Sequence, residues 1–199
     1  MADRPIIFSA PMVRALLNGQ KSQTRRVLKK RAAMNALAVF GPSFLLLPGN
    51  IDLVGCAPGD RLWVREAWTA RMEHGWTIAD ARSRMFREEI LYRADGDDGE
   101  GWWPSIRMPR EFSRTTLIVT GVRVERLQDI SGEDCAAEGA CEFALMPPTD
   151  EEAAEGRDVF RDLWNSLHGP EAWDANPWVA AISFTVHRSN IDAMETASA

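Results

Sequence analysis

Apolar positions along this chain change period several times, and each change marks an element. Met12, Val13, Leu16 and Leu17 recur at helical spacing, with Ser9 placed to cap the helix, Pro11 tolerated in its first turn and Gly19 free to take the left-handed turn that ends it. A strand is then expected from about Gln23 to Leu28. Residues 32–57 read as an irregular apolar connection in which Phe44-Leu45-Leu46-Leu47 forms a short buried strand before the Pro48-Gly49-Asn50 turn. Beyond the Pro58-Gly59-Asp60 turn, Arg61 to Glu66 alternates with period two, which puts Leu62 and Val64 on one face and Arg61, Trp63 and Arg65 on the other.

From Thr69 to Arg110 the pattern degrades into a long insertion, with a helix expected around Ile78 to Glu89, a short strand at Ile90 to Arg93 and an acidic, glycine-rich run from Asp95 to Gly101. Arg114 to Leu127 is the clearest strand. Apolar residues on both of its faces imply a central position, and Gly121 suggests the bend that a small barrel needs. Ser131 with Asp134, and Thr149 with Glu152, match the capping box and open two helices. The first ends near Glu138-Gly139. The second carries Val159, Phe160, Leu163, Trp164 and Leu167 on one face and stops at His168-Gly169-Pro170. Trp178 to Val186 closes the pattern as a strand, and the last dozen residues are expected to fray. These elements predict an α+β fold, a small mixed β-barrel with flanking short helices. They predict one domain over residues 1–188, with insertions at about 32–57 and 69–110, and a flexible tail over 189–199.

The 199 residues are 45% hydrophobic and 26% charged, a globular balance that suits one core. No apolar run is long enough to span a bilayer, and Met-Ala-Asp-Arg-Pro lacks the features of a signal peptide, so a cytoplasmic protein without membrane contact is expected. Cys56, Cys135 and Cys141 form no C-x-x-C pair, and His74, His168 and His187 are scattered singly, so neither a metal site nor a cofactor is expected. A net charge of −6 argues against a protein that coats long nucleic acid. Yet Lys21, Arg25, Arg26, Lys29, Lys30 and Arg31 fall within eleven residues. Such a patch suits a nucleotide-sized ligand or a short contact with a polynucleotide, and equally a solvated basic edge strand.

That patch begins with Gly19-Gln20-Lys21-Ser22-Gln23-Thr24-Arg25-Arg26, placed where a helix stops. Lys21 and Thr24 are an odd number of residues apart and would face opposite sides of a regular strand, so they converge only if the chain bends between them. A turn at Gly19 to Ser22 supplies the bend. Arg65 is a second basic candidate for a cleft. Trp63 and Trp103 are candidates to stack on a base, although covering an open edge of the core is the commoner use of such tryptophans.

Gly19, Lys21, Thr24 and Arg26 spell G-x-K-x-x-[E/T]-x-R directly after the first helix, and in this the chain resembles the ASCH domains of the PUA-like superfamily. Phe8 to Val13, Pro58 to Glu66, Leu127 to Ser131 and Trp173 to Val179 look similar to the larger ASCH proteins of phages and prophages, so the likeness runs from about Arg4 to Val186. The resemblance implies a PUA-like barrel. It also implies kinship with small bacterial amidohydrolases that deacetylate N4-acetylcytidine with a lysine, a threonine and a glutamate. Lys21 and Thr24 match the first two, and the glutamate, eleven residues beyond the leucine that ends the long strand, falls on Glu138. The chain is about twice the size of those enzymes, the excess lying in its two insertions.

The roles implied are Thr24 as nucleophile, Lys21 as its base once burial or neighbouring cations depress the amine, and Glu138 as a protonated acid near the negative end of its helix. Arg26 and Arg25 would bind acyl oxygen or phosphate, with Arg65, Trp63 and Trp103 as further substrate contacts. The expected partner is a small nucleoside or nucleotide. The same family also implies two alternatives: a non-catalytic reader of RNA, single-stranded nucleic acid or a modified base, and a metal-independent ribonuclease.

Overall fold

A computed structural model describes residues 1–70, 77–82, 90–96, 101–141 and 148–196. In chain order the elements are β1 (Asp3–Ile7), α1 (Ala10–Leu17), β2 (Gln23–Val27), α2 (Arg31–Phe40), α3 (Pro42–Leu45), β3 (Arg61–Arg65), β4 (Trp68–Ala70), α4 (Ile78–Ala81), β5 (Ile90–Tyr92), β6 (Thr116–Arg126), α5 (Gly132–Ala137), α6 (Asp150–His168), β7 (Trp178–His187) and α7 (Ile191–Thr196). The class is α+β. Five strands hydrogen-bond in the order β1-β3-β6-β7-β2, a mixed sheet in which β1 runs parallel to β3 and β2 antiparallel to β7. That order has two ends, so among the described residues the sheet is not a closed barrel. No helix among them is long and apolar enough to cross a membrane.

The chain divides into two compact units. The first comprises Met1–Ala2, Asn18–Asp60 and Ile118–Thr185. Here β2 pairs with β7 from Gln23↔Ser183 to Val27↔Val179. The core is Leu127, Ile130, Cys135, Phe160, Trp164 and Val179, with Val27 and Trp173 packed against it. Thr149 and Glu152 form the full capping box of α6, whereas at α5 the Ser131 hydroxyl accepts from Asp134 N and the reciprocal bond is not made. Phe160 and Trp164 are buried as the α6 pattern predicts. Val159 and Leu167 are 46% and 56% exposed, so the buried stripe is narrower than the apolar one.

Residues 31–45 correct the sequence reading. They form α2 and α3 instead of a connection ending in a buried strand. Arg31 to Phe40 is rich in alanine, the best helix former, and Ala33 and Leu37, four apart, are its buried stripe. Gly41, at φ +76°, breaks the helix, and Phe40 and Phe44 stack across the break with ring centroids 4.4 Å apart. Leu45 is buried, but Leu46 and Leu47 are exposed.

The second unit comprises Asp3–Leu17, Arg61–Leu117 and Val186–Ala199. Strand β1, over residues to which no element was assigned from sequence, pairs with β3 from Asp3↔Arg61 to Ile7↔Arg65, and Leu62 and Val64 are buried as the alternation predicts. Asp3 accepts from Arg61 Nε at 2.7 Å and from Arg110 Nη2 at 2.6 Å. Within the insertion, β4 and β5 pair, and Trp68, Ala70, Ala81, Met108 and Phe112 form a small core. The helix expected at 78–89 is described only over Ile78–Ala81, and most of the acidic run, 97–100, lies outside the described residues. Over residues 191–196, within the stretch expected as a flexible tail, the chain forms α7, where Ile191 is fully buried and Asp192 pairs with Arg110 at 2.6 Å.

Candidate functional site

In the first unit, Gly19 takes φ +76° and the chain turns through Asn18 to Ser22 before β2 begins. Ser22 fixes the exit of that turn on two sides. Its N–H donates to Ala137 O at 2.8 Å, and its carbonyl accepts from Phe184 N at 2.9 Å. The first bond ties the C-terminal end of α5 to the turn that leads into β2.

Glu138 is the residue that caps the C-terminus of α5, and Gly139 behind it takes φ +71°. Lys21 Nζ donates to the Glu138 carbonyl at 2.6 Å and to Glu138 Oε2 at 2.8 Å. Both residues are enclosed, Lys21 at 2% and Glu138 at 4% exposure. A helix-end carbonyl with no intrahelical partner is a natural acceptor for an ammonium. Burial is the largest influence on Lys21 and pulls its pKa below the ordinary lysine value, Glu138 pulls it back up, and Arg26 and Arg25 push it further down. A buried ion pair of this kind is held at a desolvation cost that its attraction only partly offsets.

Thr24 is buried within β2, opposite Ile182 of β7. Strand alternation sets Gln23 and Arg25 on one face and Thr24 and Arg26 on the other. Arg25 Nη1 donates to Gln23 Oε1 at 2.6 Å and to Glu138 Oε1 at 3.2 Å, while Nη2 donates to Glu125 Oε1 at 2.6 Å and to Asp134 Oδ2 at 2.7 Å. Its side chain is wholly enclosed, with both Nη groups engaged by protein. Arg26 is exposed, yet desolvation lowers its pKa against the smaller, opposing pull of Glu138.

Asp134 accounts for the half-formed cap of α5. Instead of reaching back to Ser131, its carboxylate accepts from Gln23 Nε2 at 3.1 Å, from Arg25 and from Arg123 Nη2 at 2.6 Å. Burial pushes Asp134 up, and Arg123 and Arg25 outweigh it, so its net shift is downward. Glu125 lies between the two arginines, 3.3 Å from Arg123 Nε. Sequence reasoning read Asp134 only as a helix cap and named none of Gln23, Arg123 and Glu125 as site residues. The available signal was Arg123 and Glu125 two apart on one face of an otherwise apolar strand, since charges so placed need partners.

Trp63, Arg65 and Trp103 belong to the second unit. Arg65 lies with its guanidinium carbon 5.3 Å from the Trp63 ring and donates from Nε to Ser105 O at 3.1 Å. Trp103 pairs its backbone with Trp68 and packs on that indole at 4.6 Å, covering the small insertion core. The three cysteines are free thiols, and burial pushes Cys135 up to about 12. Among the described residues no cluster of three His, Cys, Asp or Glu side chains is arranged to hold a metal. The unit described first thus holds one buried amine–carboxylate pair, Lys21 with Glu138, which Arg25 of β2 also touches, and no family model, curated protein or solved structure matches the chain.

Proposed function

We propose that this protein is an amidohydrolase that removes an acyl group from an N4-acylated cytosine nucleoside or nucleotide. One observation carries the reading: Lys21 Nζ lies 2.8 Å from Glu138 Oε2 inside the fold, at the two positions the ASCH resemblance assigns to a lysine and a glutamate. The PUA-like architecture belongs to the same proposal, as a small barrel parted at the β2 edge.

In this mechanism the ion pair is the resting state. A proton passes from Lys21 Nζ to Glu138 along their hydrogen bond, leaving a neutral amine and a carboxylic acid, a shift that burial of the amine favours. Lys21 then takes the Thr24 hydroxyl proton as Oγ1 attacks the acyl carbon, and Arg26 stabilises the oxyanion. Glu138 gives its proton to N4 as the C–N bond breaks, which releases the cytosine amino group and leaves an acyl ester on Thr24. Water hydrolyses that ester, one of its protons returning to the Thr24 oxygen.

Incubation of the purified protein with N4-acetylcytidine, with cytidine followed by chromatography, tests the reading. Turnover is expected, and Thr24→Ala should reduce it by at least about 1,000-fold. Persistence of activity in that variant would remove Thr24 from the nucleophile's role. A second reading, a binding module for RNA or a modified base, is favoured by the exposed run Lys29, Lys30 and Arg31 that follows β2. Absence of turnover together with salt-steep binding of labelled RNA would favour it, and cleavage of that RNA without added metal would point to a ribonuclease.

A further inference from the structure

Arg25 is the motif-region residue that the chemistry above leaves without a task. Its side chain is fully enclosed, and its Nη groups hold Gln23, Glu138, Glu125 and Asp134. Its Nε makes no hydrogen bond, and its guanidinium carbon lies 5.9 Å from the Phe160 ring. Removing a guanidinium from water costs several kcal/mol even after relaxation. Here the enclosed group links two sets of charges: Arg123, half exposed, touches Asp134 and Glu125; those carboxylates hold Arg25; and Arg25 holds Glu138, which faces Lys21. Signs alternate along the whole series, with Lys21, Arg25 and Arg123 balanced by Glu138, Asp134 and Glu125.

We propose that Arg25 is a positioning residue: its Nη1 pins Glu138 Oε1, so that Oε2 is held against Lys21 Nζ, while Asp134 and Glu125 anchor Arg25 from behind. A carboxylate bound through one oxygen can swing about its last torsion, and one bound through both cannot. The planar fork is essential to this. A lysine at position 25 would keep the charge but, as a single point donor on a flexible stem, would not span Glu138 on one side and Asp134 on the other. The groups acting on Lys21 itself are Glu138, Arg26 and Arg25, with Asp134, Glu125 and Arg123 one step further out.

The inference rests on the amidohydrolase reading only for its kinetic arm, and the test therefore has two arms. The full chain carrying Arg25→Gln, Arg25→Lys or Asp134→Asn is labelled with 15N-lysine, and the Lys21 ammonium signal, identified by its loss in Lys21→Met, is followed. The wild type should show a signal protected from solvent exchange. That protection should be lost in both Arg25 variants and weakened in Asp134→Asn. With N4-acetylcytidine, kcat should fall by about 100-fold in Arg25→Gln and about 10-fold in Arg25→Lys, with KM within about twofold. Retention of both the protected signal and wild-type kcat in Arg25→Lys would overturn the proposal, because charge alone would then suffice. A raised KM with unchanged kcat would overturn it too, making Arg25 a substrate ligand. Should Arg25→Gln fail to fold, Arg25→Lys and Asp134→Asn carry the test. Should the wild type not cleave the amide, the functional reading fails while the ammonium signal still decides the role of Arg25.

Discussion

Gly132 opens α5, the helix that carries Asp134 and ends at Glu138, and it lies directly against α6. A Cβ at this position would sit 2.6 Å from Ala153 Cβ, 2.9 Å from Ala153 Cα and 3.1 Å from Pro148 Cγ. Ordinary contact starts at 3.4 Å, so Gly132→Ala must separate the helices by about 0.8 Å, and because Ala153 Cα is backbone no side-chain rotation relieves it. Two effects compete. Alanine is favoured over glycine in a helix by about 1 kcal/mol in the interior, and less at this first position. Overpacking of a closely packed contact costs about 1–3 kcal/mol. Since the obstruction is backbone, the second effect should win, leaving a net loss of about 1–2 kcal/mol. Urea unfolding followed by tryptophan fluorescence should show it, and the Tm should fall by about 2–8 °C. The same displacement should move Glu138 from Lys21 and lower turnover. Adding Ala153→Gly removes the 2.6 Å clash but not the 2.9 Å one, so the double variant should recover part of the loss and no more. Stability of Gly132→Ala at or above the wild type would refute the packing argument, and so would a double variant no better than the single one.

Two further outcomes follow from the charges. Burial lowers the Lys21 pKa, and Arg26 adds to that lowering, so Arg26→Gln should raise it; because the resting ion pair holds the one proton that reaches N4, the falling limb of the pH–rate profile, which tracks loss of that proton from Lys21, should move to higher pH, and movement to lower pH would contradict the role assigned to Lys21. In the second unit, Arg61 chiefly, with Arg110, lowers the Asp3 pKa below 3.8 against the opposing effect of burial. A depressed folded pKa means that the stabilisation is complete above the unfolded value and disappears as pH falls through the folded one. Acid titration by near-ultraviolet circular dichroism should therefore show a stability loss below about pH 4 that Asp3→Asn flattens, and an unchanged acid limb in that variant would show that Asp3 does not contribute to it.

Local pattern was sufficient wherever one face of an element meets the core and the other does not. The alternation in Arg61 to Glu66, in Arg114 to Leu127 and in Trp178 to Val186 reads directly as β3, β6 and β7, because a strand's period of two is visible in six residues. The α6 cap was equally legible, since Thr149 and Glu152 act within one turn. Residues 31–45 misled because short apolar runs carry no decisive period, and the residue 191–196 segment because its burial depends on contacts distant in sequence. In the site, the motif singled out Lys21 and Thr24 and their spacing called for a bend, but nothing local says that Ser22 ties that bend to α5 or that Asp134 abandons its cap for Arg25. Sequence by itself determined which chemical groups were available and the period of the elements that carry them. Tertiary structure alone decided their pairing, because the partner of a buried charge is chosen by what the fold brings within hydrogen-bond distance after water has been removed.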